Sequence, residues 1–374
     1  MTQVVVHDTI TLLKPLFLSR ARPKEKLAEA LPVTSGLHKR IPAMARVETL
    51  ANDIAAVARL DAYGALAGYQ FWGLFNPTRK VEASAWAFDQ LAAYDVLGRV
   101  EAYLTHTCAQ FPPHQVPERL DCLVLPGDPA NRELMVYGHG LAAVGAPGVI
   151  LLILWPSPSN LQRLESTLAR ALVQSLRWQN VPPDPSPTLA DYLVLEGLAA
   201  SFVAQQLPTL PEPWLAPFRP PADWPDALAH VARIYGLNHY DELTGNLYGS
   251  RITGETVNSQ RYPKAQPLSA DEFDYAQELV RGALTAADAP TIAAYLYGDE
   301  AVANQGYAAV GLPNFAGFEV AYRWLQAYLQ SHGGSIPDAL GLPSLTLLGE
   351  DNPYAEHRAE LQAQPGPKDR ERIC

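Results

Sequence analysis

Cysteine is scarce in this chain: three in 374 residues, at Cys108, Cys122 and Cys374. Their wide spacing excludes a CxxC zinc pattern and a dense disulfide framework, and it fits a reducing compartment, hence the cytoplasm. Positive charge is also scarce. Lys and Arg number 28 against 39 Asp and Glu, for a net charge of −11 and an isoelectric point of about 5.3. Such a surface repels phosphate backbones, and no long basic run reverses it locally, which argues against nucleic acid as a main partner. No Gly-rich phosphate loop lies between a strand and a helix, so a nucleotide site has no support. A membrane span is missing too. "GHGLAAVGAPGVILLILWPSPSN" carries no charge, but Pro147 and Pro156 fence "GVILLILW" to strand length. "MTQVVVHDTITLLKPLF" lacks a basic region before its apolar residues and makes a poor signal peptide. None of the nine histidines forms HxH, HxxxH or HxxEH. Ser175 and Ser201 lack the Gly-x-Ser-x-Gly elbow of a nucleophile.

Hydrophobic residues make up 48% of the chain, enough for a sizeable core. "VVVHDTITLL" reads as a short extended piece. Helical spacing follows in 45–72 and in "AWAFDQLAAYDVLGRVEAYLTHTCAQF". "DCLVLP", "RELMVYGHGLAAVG" and "GVILLILW" read as strands or extended segments. A helix is expected from Ser159 or Asn160 to about Trp178, and a second in "LADYLVLEGLAASFVAQQL", separated by the Pro-rich "NVPPDPSPT". The proline-dense "PTLPEPWLAPFRPPADWP" excludes a helix. Further helices are expected in "DALAHVARIY", "ADEFDYAQELVRGAL", "TIAAYLYG" and "FAGFEVAYRWLQAYLQS", the last ending at "HGG". This layout is α+β, mostly α, with a small sheet. It suggests one domain over 1–350, with a helical N-terminal part to about 118, a core over 119–350, and a polar tail at 351–374.

On the first of the paired helices, Leu161, Leu164, Leu168, Leu172 and Leu176 form an apolar stripe. Arg163, Ser166, Thr167, Arg170, Gln174 and Arg177 fall opposite, as a solvated face would. On the second, Glu196 sits among Leu189, Tyr192, Leu193, Ala199, Ala200 and Val203. A carboxylate on such a face needs a partner. His139, between two glycines, fits a turn beside a cleft, and Tyr322 is placed to line one.

Several of these stretches, in this order, resemble a bacterial family of predicted zinc-dependent proteases: "LPGDPAN", "GHGLAAVGAPGVILLILWP", "NLQRLESTLARALVQSLRW", "LADYLVLEGLAASFV", "YLYGD" and "GLPNFAGFEVAYRWLQAYL". The resemblance covers roughly 120–345. It implies a zincin-like fold with an active-site helix carrying HExxH and a glutamate on the next helix. Two histidines one turn apart would hold zinc, and the glutamate after the first would activate its water.

At those positions this chain reads "RALVQ". Arg170 replaces the first histidine, Ala171 the general base and Gln174 the second histidine. Leu172 and Val173 lie between, and only Glu196 keeps a ligand type. Arginine is always protonated and cannot coordinate. At about 4 Å and an effective dielectric near 20, like unit charges repel by about 4 kcal/mol, and a dication feels roughly twice that. The resemblance therefore implies a zinc-protease homologue that has lost zinc and catalysis, a pseudopeptidase with a binding, scaffolding or regulatory role. Arg170 is expected to pair with Glu196 in place of the ion; if that pair is desolvated, its rupture costs about 3–5 kcal/mol. "GVILLILW" is expected to border a cleft that takes an extended peptide by strand addition. Two alternatives stay open: a metallopeptidase using Glu196, Gln174 and a distant histidine, and a helical interaction protein with no inherited site.

Overall fold

The computed structural model describes residues 2–20, 80–131, 134–135, 138–182, 187–240, 242–243, 265–303 and 306–348. The helices expected over 45–72 and the tail expected over 351–374 lie outside them. By contact the chain gathers into two compact units, 1–182 with 199–267, and 183–198 with 268–374. The single domain expected over 1–350 covers both. The described residues are mostly helical with one four-stranded mixed sheet, the α+β class expected from sequence. No helix among the described residues is long and apolar enough to cross a membrane.

The first unit opens with β1 (Gln3–His7). The Asp8 side chain then accepts a hydrogen bond from the Thr11 backbone N–H and starts α1 (Thr9–Leu18). "VVVHDTITLL" is thus a strand and a helix, not one extended piece, because Asp8 satisfies an otherwise orphaned donor. Helices α2 (Val81–Ala93) and α3 (Val96–Cys108) follow, then β2 (Arg119–Pro126), β3 (Leu141–Ala146) and β4 (Val149–Leu154). The strand order is β1-β2-β4-β3. β1 and β2 are parallel, as are β2 and β4, while β3 runs antiparallel to β4. His7 bonds the Asp121 carboxylate at 2.8 Å and so ties β1 to β2, and Arg119, on β2 itself, donates to the same carboxylate at 2.8 Å. Burial alone would raise the Asp121 pKa; these bonds more than reverse that and leave it below its ordinary value.

All six residues of β4 are buried, as its unbroken apolar run requires of a strand covered on both faces. β4 is also bonded along both edges, to β2 and to β3. This corrects the expectation of strand addition on "GVILLILW": a strand paired on both sides has no backbone groups left to offer. β3 is the outer strand on that side.

After β4 the Ser157 hydroxyl caps α4 (Pro158–Gln162) by accepting from the Asn160 N–H. Helix α5 (Leu164–Asn180) follows. The single helix expected from Ser159 or Asn160 is therefore interrupted at Arg163. The hydroxyls of Ser166 and Thr167 both donate to the Arg163 carbonyl, and such local bonds compete with the helical ladder. The leucine stripe of α4 and α5 is buried throughout.

Helix α5 lies against β3, and Gly145 sets their separation. A Cβ built there would stand 1.9 Å from the Ala171 carbonyl oxygen and 2.6 Å from the Ser175 nitrogen. The Ser175 hydroxyl donates to the Ala146 carbonyl at 2.7 Å. Helix α6 (Leu189–Gln206) is shared between the units, its residues to 198 belonging to the second. The first unit closes with α7 (Trp224–Tyr235), which ends at Gly236 in the left-handed region.

The second unit contains the first half of α6 with α8 (Ala270–Arg281), α9 (Ala289–Tyr297), α10 (Asp299–Ala303), α11 (Ala316–His332), α12 (Ile336–Leu340) and α13 (Ser344–Leu347). Gly197 lets α6 approach α11 closely: its Cβ would lie 2.6 Å from the Ala321 carbonyl. Asp191 accepts from the Ser344 hydroxyl at 2.6 Å. The buried Glu319 carboxylate is matched by Arg323 and by the Leu268 N–H.

Candidate functional site

Arg170, Ala171 and Gln174 all lie on α5, in the first unit, and Glu196 lies on α6, in the second unit. Ala171 is 1% exposed, while Arg170 and Gln174, one turn apart, are half-buried. Arg170, Gln174 and Glu196 all make polar or electrostatic contacts, so none stands alone. Glu196 is half-buried between the buried Leu193 and Ala199. Its charge, after burial, helps hold the Tyr192 hydroxyl above its ordinary pKa.

The face of α5 opposite the leucines departs from expectation. Arg177 is only 1% exposed. Arg163 is half-buried and donates to the Pro217 carbonyl at 3.1 Å and to Asn160 Oδ1 at 3.4 Å. The proline-dense segment packs there, so that end of the face is covered and not solvated.

Zinc takes four nitrogen, sulfur or oxygen donors in tetrahedral array. The α5 positions offer a cation, a methyl group and a neutral amide. Among the described residues no three His, Cys, Asp or Glu side chains gather so as to hold a metal ion. The donor set does not fit zinc. Cys108 and Cys122 are buried free thiols; burial pushes the Cys108 thiol up to about 12 and raises Cys122 as well. Neither is placed as a thiolate nucleophile.

His139 and Tyr322 were both candidates for lining a cleft. They belong to different units, Tyr322 on α11 and His139 in the turn that enters β3. His139 has φ 51°, a conformation uncommon for a residue with a Cβ. It is 6% exposed. Burial, and after it the Arg163 charge, holds its pKa down to about 3. Nδ1 has no hydrogen-bond partner among the described residues. Trp224 meets the imidazole edge to face, with ring centroids 6.1 Å apart.

Around His139 stand residues that periodicity did not single out. Trp155, immediately after β4, donates its backbone N–H to Gly140 at 2.7 Å, and its carbonyl accepts from the Asn160 amide at 2.9 Å. Trp155 and Trp224 are buried, and neither indole N–H has a partner. The packing is tight: a Cβ on Gly140 would lie 2.7 Å from Trp224 and 2.8 Å from the Asn160 amide. Trp155 also walls a cavity of about 10 Å³ with Phe17, Phe88 and Asp128, room for one water molecule and no larger ligand. The one sequence signal for this cluster was the Gly138-His139-Gly140 triplet, which marks an unusual backbone without naming its neighbours.

Residues 98–266 match the family model described as "Predicted Zn-dependent protease (DUF2268)". The uncharacterized protein YjfC of Bacillus subtilis (strain 168) is 22% identical over 207 residues, which are 55% of this chain and 53% of that protein. This chain thus spans about half the length of that relative. No solved structure matches.

Proposed function

We infer, with residues 98–266 belonging to the predicted Zn-dependent protease family, that this chain is a zincin-like protein whose active-site helix no longer binds zinc. It acts as a pseudopeptidase, by binding and not by hydrolysis. The side-chain set of α5 supports this reading: Arg170, Ala171 and Gln174 offer a cation, a methyl group and a neutral amide at the positions that the resemblance assigns to two metal ligands and a general base. The buried free thiols Cys108 and Cys122 support a reducing compartment, as in the cytoplasm. The outer strand β3, not β4, is the place where an extended peptide would add.

Assays of mixed-peptide hydrolysis, with and without added zinc, test this reading. The expected result is no turnover in either condition, together with retention of peptides on immobilised protein. Chelator-sensitive hydrolysis that disappears in Glu196→Gln would overturn it and favour a metallopeptidase with unorthodox ligands.

A further inference from the structure

We draw no further inference here: the strongest candidate, the outer edge of β1 (Gln3–His7) at the end of the sheet, carries nothing, because nothing among the described residues shows what covers it.

Discussion

Gly145→Ala is expected to destabilise the first unit by about 3 kcal/mol or more, beyond the usual range for one added methyl group. The cause is geometric. The new Cβ would stand 1.9 Å from the Ala171 carbonyl oxygen, and both of its nearest obstacles, that oxygen and the Ser175 nitrogen, are backbone atoms of α5. A side chain can rotate aside; a helix backbone has to lift away from β3. Lifting it breaks the bond from the Ser175 hydroxyl to Ala146 and opens the packing of a helix whose leucines are all buried. Because the obstacle is a carbonyl, shrinking Ala171 to glycine gives no rescue. Gly282→Ala is the control. Its φ is −66°, and its Cβ would find nothing nearer than 3.5 Å, so the change is expected to be neutral or slightly stabilising. Urea unfolding followed by tryptophan fluorescence measures both. A loss below about 0.5 kcal/mol at Gly145 would mean that α5 does not rest on β3 as described.

The double substitution Arg170→His with Gln174→His is expected to raise the affinity of α5 for zinc. The two positions are one turn apart on α5, are half-buried, and so point to one side of the helix. Replacing a fixed cation and a neutral amide with two imidazoles removes the repulsion and supplies half of a tetrahedral set. Zinc affinity should rise about 100-fold, roughly tenfold for each added imidazole. Competition with a chromogenic chelator reads the change. If the unmodified chain binds zinc as tightly as the variant, the ligands lie elsewhere and "RALVQ" is not the counterpart of HExxH.

Much of the fold was legible because its signals are local. "GVILLILW" is apolar at every position and fenced by prolines, so it reads as a strand buried on both faces, and β4 is one. What its residues could not disclose was its place in the sheet. Parallel pairing of β1 with β2 joins segments more than a hundred residues apart, and a strand's own sequence does not record which neighbours it has. For that reason β4 was mistaken for a strand with an open edge. The break at Arg163 was hidden for a different reason: Ser166 and Thr167 are tolerable helix residues until their hydroxyls turn back on one carbonyl.

The candidate site divides in the same way. Arg170, Ala171 and Gln174 were singled out through the resemblance to the protease family, whose pattern falls within one helix. The cluster at His139 was missed because it assembles from the turn before β3, the end of β4, the α4–α5 junction, the Pro217 carbonyl and Trp224. Periodicity also assigns every arginine to solvent. Arg163, half-buried and bonded to the Pro217 carbonyl, shows that a covering segment elsewhere in the chain overrides that rule.

The central claim is that α5 has exchanged a metal-binding set for one that repels metal. Elemental analysis of the full chain, purified without chelator and equilibrated with zinc, tests it most directly. Zinc far below one ion per chain, unchanged by Glu196→Gln, is the predicted result. One tightly held zinc per chain, lost together with a hydrolytic activity when it is stripped and regained with it on restoration, would contradict the account.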